Sequence, residues 1–384
     1  MERLKLPAPS RVGGAAPGGV RGTHVLVIDD SAVAREVMRR LFSEEAEMTV
    51  AVAADPLVAM ARMRTRRPDV IVLDLEMPRM DGLTFLRKLM QEDPVPVVVC
   101  SGLAAAGMRG ALRAIEEGAV AVVAKPKLGP DGFLHESRVM LVDAVRGAAQ
   151  ARVRHHRPAF SAPVRTAAAV APGTSAESGD DRVVAIGAST GGPETLRTIL
   201  EAMPPSCPGI VIVQHMPEGF TRAFAERLDQ LCRIEVKEAR DGDAVCPGRA
   251  LLAPGDRHVI LARPDRGYVV QVRPGPLVSR HRPSVDVLFR SVARAAGADA
   301  VGVVLTGMGD DGADGLLDMK RAGAATIAQD EATSVVFGMP REAAVRGAAD
   351  EVLPVEAIAP AILRLRRPAH SRRPERGRTA DPHS

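Results

Sequence analysis

Aromatic residues are scarce in this sequence. Eight Phe, one Tyr and no Trp in 384 residues argue against modules that stack bases or sugars on aromatic faces. Cysteine is scarce as well. Cys100, Cys207, Cys232 and Cys246 form no Cys-x-x-Cys pair, which fits neither a zinc site nor a disulfide framework and points to idle thiols in a reducing compartment. No apolar run approaches the roughly 18 residues of a membrane span, and the Arg-sprinkled, Gly/Pro-rich N-terminus has no signal-peptide apolar stretch. The expectation is a cytoplasmic protein that is not embedded in a membrane.

Neither sign of charge dominates: 51 Lys and Arg face 47 Asp and Glu, a net charge of +4. Residues 1–23 carry +3, 146–176 carry +5 and 364–378 carry +6, so the rest of the chain carries −10. The basicity therefore lies in the ends and a connector. That speaks against nucleic acid as a partner, because a DNA-binding output domain needs a basic recognition helix and candidates such as 220–231 carry both signs. The basic C-terminal stretch reads as a solvated extension, with a docking arm for acidic partners or anionic lipid as the alternative.

What is present is alternation, at a length that suits two domains. From residue 23 to 146, apolar runs (HVLVI, VIVL, VPVVVC, AVAVVA) alternate with amphipathic helical segments, the pattern of a five-stranded parallel sheet covered on both faces. Residues 147–180 are Ala, Pro, Gly, Ser and Arg without period and read as a linker. Strand-like and helical patterns resume over 181–365 as a second α/β domain, and 1–22 and 366–384 read as disordered extensions.

In the first domain, polar residues end the apolar runs: Asp29 and Asp30, Asp74, Ser101, and Lys125. Parallel strand ends of one sense share one sheet edge, where ligands bind. Three carboxylates there repel unless they hold a hard cation, and Mg²⁺ suits oxygen ligands while accepting a phosphate oxygen. Ser101 and Lys125 then offer a hydroxyl and an ammonium to the remaining phosphoryl oxygens, so the set suits phosphoryl transfer to an Asp. A single strand-end Asp or Ser commonly just caps the next helix, but four matched ends make coincidence a poor account. The stretches VLVIDDS, VLDLEMPRMDGL, CSG and AKP resemble the response-regulator receiver domain, a flavodoxin-like fold. The resemblance implies phosphorylation at Asp74, Mg²⁺ held by Asp29, Asp30, Asp74 and the Glu76 carbonyl, and phosphate contacts from Ser101 and Lys125. Three positions before Lys125, where receivers usually carry Tyr or Phe, stands Val122.

In the second domain, VVAI leads into Gly187-Ala188-Ser189-Thr190-Gly191-Gly192-Pro193. Small residues permit a sharp strand-to-helix turn that exposes the Ser189 hydroxyl, and N–H groups at the helix start, Thr190's region, can serve an oxyanion. A serine nucleophile needs a base. His215 follows the strand-like IVIVQ directly, on the edge expected for Ser189; His258 begins a strand and is expected at the opposite edge; His281, in SRHRPS, is placed against substrate or solvent. After VGVVL, either Asp310 or Asp311 can orient the histidine. The order Ser, His, Asp disfavours an α/β-hydrolase despite the G-x-S-x-G pattern.

The residues IGASTGG, QHMPEGFTRAFAERL, APGDRH, HRPSVDVLF, LTGMGDDGADG and FGMPREA resemble the catalytic domain of the chemotaxis protein-glutamate methylesterases, a doubly wound, mostly parallel-sheet domain. The resemblance implies Asp311 as the triad acid and Met308 in the oxyanion region, with no cofactor for the hydrolysis. It implies demethylation of glutamate esters and deamidation of glutamines on chemoreceptors, activation by a chemotaxis histidine kinase through Asp74, and an unphosphorylated receiver packed over the esterase site. Its rivals are a response regulator whose second domain only binds a partner, and a DNA-binding output domain.

Overall fold

The computed structural model describes residues 22–77, 81–102, 104–125, 128–129, 132–133, 135–153, 182–264 and 267–364. The expected N-terminal extension apart from Gly22, the linker from 154 onward and the C-terminal tail lie outside them.

The first domain alternates as its apolar runs require. β1 (Thr23–Ile28), α1 (Ala32–Ser43), β2 (Met48–Ala53), α2 (Pro56–Thr65) and β3 (Val70–Leu73) lead to α3 (Gly82–Glu92) and β4 (Val97–Ser101). Then follow α4 (Ala105–Glu116), β5 (Ala121–Ala124), a two-residue-strand hairpin β6 (Leu128–Gly129) and β7 (Gly132–Phe133), and α5 (His135–Ala149). The order β2-β1-β3-β4-β5 is parallel throughout, the flavodoxin-like arrangement, whose ligand edge is where the strands end. Val, Ile and Leu bury both faces: β1 from Val25 to Ile28 and all of β3 are fully covered. Ser31, Asp55 and Asp81 start α1, α2 and α3 by accepting from backbone N–H groups. One boundary is corrected: α5 runs to Ala149, and Arg152 N–H donates to Val335 O at 3.1 Å, so the ordered domain continues past 146.

The second domain opens with β8 (Val183–Ala188), α6 (Gly192–Glu201), β9 (Gly209–Gln214) and α7 (Phe220–Leu231). Next come β10 (Glu235–Glu238), β11 (Ala244–Val245), β12 (Arg249–Leu252), β13 (His258–Ala262) and β14 (Tyr268–Arg273). The domain closes with α8 (Val285–Ala295), β15 (Ala300–Val304), α9 (Ala313–Arg321), β16 (Ala325–Gln329), α10 (Met339–Val345), β17 (Glu351–Leu353) and α11 (Val355–Arg364). Seven parallel strands run β10-β12-β9-β8-β15-β16-β17, and β11-β14-β13 form a separate antiparallel sheet. Beginning at β8, the chain adds β9 on one side and later β15 on the other, so the crevice for a ligand opens beyond the end of β8.

The first domain lies on that crevice. Gly191 N–H donates to Val120 O at 2.9 Å and Arg227 pairs with Glu116 at 2.7 Å. Apolar contact is continuous across the boundary, with Ile115, Ala119 and Val122 in one buried cluster with Leu196 and Phe224.

Candidate functional site

At the first domain's strand ends the carboxylates of Asp29, Asp30 and Asp74 offer oxygens within 4.8 Å of one another. Asp29 and Asp74 are each 1% exposed. Lys125 Nζ lies 2.6 Å from Asp74 Oδ2 and 3.1 Å from Asp29 Oδ2. Burial disfavours the ammonium, but the Asp74 hydrogen bond and the charges of both aspartates outweigh it and hold the Lys125 pKa above its usual value. Burial pushes Asp29 up, against the pull of Lys125, whose ammonium is the neighbour of its buried Oδ2. Three carboxylates converging with the Lys125 ammonium among them form an all-oxygen donor set that fits a hard divalent cation. Glu76 N–H donates to Asp74 Oδ1 at 3.1 Å, which brings the Glu76 backbone to the same corner. Ser101 sits at the expected strand end, but its hydroxyl donates to Gly107 O at 3.2 Å instead of reaching Asp74. Val122 is 7% exposed in β5 opposite Val99 and lines the cavity that contains Ser189.

In the second domain, the pairing of β8 with β9 sets Ala188 against Gln214, so Ser189 and His215 leave the sheet side by side. Two glycines shape the turn. Gly191 has φ +76°, and a Cβ on Gly307 would come within 2.6 Å of Ser189 Cβ, so the β15 loop reaches the serine only because Gly307 has no side chain. Gln214 Nε2 donates to Ser189 O at 2.9 Å, tying the two strand ends together.

His215 Nε2 lies 2.9 Å from Asp311 Oδ2. The opposite nitrogen, Nδ1, is buried without a partner, and His215 lines a cavity together with Ser189, Thr190 and Met308. With Nε2–H donated to Asp311, Nδ1 keeps its lone pair, the state a general base requires. Asp311, 1% exposed, also accepts from Ser284 Oγ at 2.8 Å, Val285 N–H at 2.8 Å and Asp286 N–H at 3.0 Å. Three of these donors belong to the start of α8, whose N-terminal dipole favours an anion. Burial raises the Asp311 pKa, but the hydrogen bond and charge of His215, then His281 and the Asp286 N–H, outweigh it and leave it below the usual carboxylate range. Asp310 instead points outward to Arg346 at 2.8 Å.

Sequence reasoning missed several members of this site. His281 stacks on His215, centroids 3.7 Å apart and planes 6° from parallel; burial, then the charge of His215, pushes its pKa down to about 3. His258 is not across the sheet: it begins a strand of the antiparallel sheet, and its Nδ1 accepts from the N–H of Ser284 at 3.2 Å, the residue whose hydroxyl donates to Asp311. The serine of PSVD, a good N-cap before an apolar helix, was the available signal for Ser284. From the first domain, Met140, Asp143 and Ala144 of α5 line the same cavity as Ser189 and His215.

A family model of the CheB methylesterase matches residues 184–362, and one of the response regulator receiver domain matches residues 25–132. The chain is 61% identical over 358 residues to protein-glutamate methylesterase/protein-glutamine glutaminase 5 of Anaeromyxobacter dehalogenans, covering 91% of this chain and 98% of the relative. It is 56% identical to protein-glutamate methylesterase/protein-glutamine glutaminase 3 of Geobacter metallireducens, covering 89% and 98%. Among solved structures, the CheB methylesterase catalytic domain of Thermotoga maritima is 40% identical with a TM-score of 0.47, over 47% of this chain and 97% of that one. The response regulator domain of Thermotoga maritima CheB is 31% identical with a TM-score of 0.30, over 34% and 99%.

Proposed function

The chain belongs to the protein-glutamate methylesterase/protein-glutamine glutaminase family, with a response regulator receiver ahead of a CheB methylesterase domain, and on that premise we propose how its own residues perform the activity. It is a phosphorylation-regulated hydrolase that demethylates glutamyl methyl esters and deamidates glutamines in chemotaxis-type signalling. Ser189 is the nucleophile, His215 the base and Asp311 the orienting acid.

His215 Nδ1 takes the proton of Ser189 Oγ as that oxygen attacks the ester carbonyl. The resulting imidazolium is stabilised through Nε2–H by Asp311, which the α8 N–H groups keep ionised and fixed. The oxyanion is taken by backbone donors in the Thr190 and Met308 region. His215 returns the proton to the leaving methoxide, methanol departs, and water repeats the cycle on the acyl-serine to free a glutamate. A glutamine side chain follows the same route and releases ammonia. The observation that carries this reading is the Nε2 to Asp311 contact of 2.9 Å, which leaves Nδ1 unpartnered on a histidine that lines one cavity with Ser189. The geometry is that of a resting site, since no hydrogen bond between Ser189 and His215 is needed until substrate enters.

Regulation follows from what covers the serine. The cavity between receiver and esterase is about 60 Å³, while a substrate helix is roughly 10 Å across, so a helical protein substrate enters only when the receiver moves. Asp74 is the phosphoacceptor. Asp29, Asp30, Asp74 and the Glu76 carbonyl would hold Mg²⁺, which when bound offsets phosphoryl charge; Lys125 leaves its pairing with Asp74 to meet the phosphate, and Ser101 exchanges Gly107 O for a phosphoryl oxygen. The donor would be a chemotaxis histidine kinase and the substrates the cytoplasmic domains of methylated chemoreceptors, in the cytoplasm. Among the described residues no helix is long and apolar enough to cross a membrane.

Methanol release from methyl-labelled receptor tests the assignment: Ser189→Ala should abolish it, and undiminished release would overturn the triad. Acetyl phosphate with Mg²⁺ should stimulate the wild type and not Asp74→Ala; equal stimulation of both would remove the receiver from the mechanism.

A further inference from the structure

Arg280 and His281, which line the cavity with Ser189, belong to a strained turn. Val278 and His281 exchange backbone hydrogen bonds of 3.0 and 2.9 Å, closing a hairpin on Ser279 and Arg280, whose φ angles are +50° and +66°. Two consecutive positive φ angles in a two-residue hairpin suit Asn-Gly; Ser-Arg adopts them at a cost of about 1 kcal/mol or more each. Strain of this kind persists where the surroundings hold it, and here the turn sets His281 on His215 and Arg280 at the rim of the Ser189 cavity.

What faces Arg280 is a helix. Met140, Asp143 and Ala144 of α5 line the cavity at the three- and four-residue spacings of a single helical face. Asp143 points into it with its side chain 12% exposed, Oδ2 3.5 Å from Arg280 Nε. Arg146 Nη1 lies 3.9 Å from Oδ1. Oδ2 is buried without a hydrogen bond, an unfavourable position for a carboxylate. Burial accordingly raises its pKa, against the charges of Arg280, Arg146 and His215. The pairing is loose and easily exchanged, and Arg280, with 54% of its side chain exposed, is available to another anion.

We propose that Arg280 is a specificity-determining residue of the esterase, reading a free carboxylate carried one helical turn from the glutamyl ester on a helical substrate, and that Asp143 of the receiver occupies this place as an internal stand-in when the site is closed. The proposal rests on the esterase reading above and adds the chemistry by which the site chooses its substrate. The two carboxylates compete for one guanidinium, so the contact that closes the site is also the one that recognises what opens it.

The test uses the full chain activated with acetyl phosphate and Mg²⁺, and stapled helical peptides bearing one glutamyl methyl ester and, one turn away, Glu, Gln or Lys. Wild type should favour the Glu peptide over the Gln peptide by about tenfold in kcat/KM, mostly through KM, as a charge-assisted contact provides. Arg280→Ala should bring that ratio close to one, and Arg280→Glu should favour the Lys peptide. Asp143→Asn should raise turnover of the Glu peptide by the unphosphorylated chain. A Glu preference kept in both Arg280 variants would overturn the proposal, as would an Arg280→Ala chain that is merely more active before phosphorylation with its ratio intact. Failure of the wild type to release methanol from any of the peptides would instead count against the esterase reading.

Discussion

Asp311 and Asp286 each hold the start of the other's helix. Asp311, just ahead of α9, accepts from Ser284, Val285 and Asp286 at the start of α8. Asp286, in the first turn of α8, accepts through Oδ1 from Gly312 N–H at 3.1 Å and Gly315 N–H at 2.7 Å at the start of α9. Two helix N-termini thus converge on two buried carboxylates, and the acid of the proposed triad is fixed by the fold before it meets the histidine.

Asp311→Asn should therefore impair two things at once. Its amide NH₂ opposes either His215 Nε2–H together with the Val285 N–H, or the Asp286 N–H beside Ser284; in the first orientation the histidine loses the tautomer that leaves Nδ1 free, and methanol release should fall by about 10⁴-fold. The same mismatch should destabilise the domain by about 1–3 kcal/mol. Single-turnover hydrolysis and urea unfolding separate the two; a stable variant with ordinary turnover would refute the role of Asp311.

Gly147 offers a substitution that presses on the interface between the domains. A Cβ there would meet Thr190 Oγ1 at 2.9 Å and Met308 Cβ at 3.2 Å, whereas within α5 itself Ala is favoured over Gly by about 0.5–1 kcal/mol. Overpacking costs about 1–3 kcal/mol, and here that cost falls on the closed arrangement. Gly147→Ala should raise the unphosphorylated rate roughly tenfold, with less added stimulation by acetyl phosphate. An unaltered unphosphorylated rate would mean that this contact does not close the site.

His281 gives a pH signature of stability. Its pKa is about 3 in the folded protein against 6.5 as a free side chain, so between these values the unfolded chain binds a proton that the folded chain refuses. Stability then rises with pH across that window: the contribution of neutral His281 is complete above about pH 6.5 and is lost progressively toward pH 3. Urea midpoints should drop from pH 7 to pH 5 in wild type and drop less in His281→Phe, which keeps a ring on His215. Parallel pH dependences would exclude His281 as a source.

Lys125 is the counter-charge for two buried aspartates. Lys125→Ala leaves Asp29 and Asp74 facing each other, a loss of about 2 kcal/mol once the exposed edge of the lysine is allowed for. Mg²⁺ binding at the same carboxylates should restore much of it. The rise in melting temperature on adding Mg²⁺ should accordingly be larger in the variant than in wild type, and an equal rise would argue against a shared site.

The sequence carried the strand-end residues well. Asp29, Asp30, Asp74, Ser101 and Lys125 end apolar runs, and a parallel sheet brings such ends together whatever the side chains around them. Ser189 and His215 were legible for the same reason, and the two-domain α/β architecture followed from the alternation of runs. The helix α5 was hidden, because its polar and small residues give a weak apolar stripe while its Ala and Val bury against the sheet and Gly147 against the esterase.

The sequence by itself thus determined two parallel sheets and the polar residues at their edges, since burial of alternating apolar runs admits few other solutions. Tertiary structure alone decided what those residues do next. Between the adjacent Asp310 and Asp311, Arg346 draws one to the surface while the N-terminus of α8 holds the other beside His215. His281 reaches His215, and Asp143 reaches Arg280, across elements far apart in the chain. Local pattern carries no record of such contacts, because they depend on how whole layers pack and not on the period of any one of them.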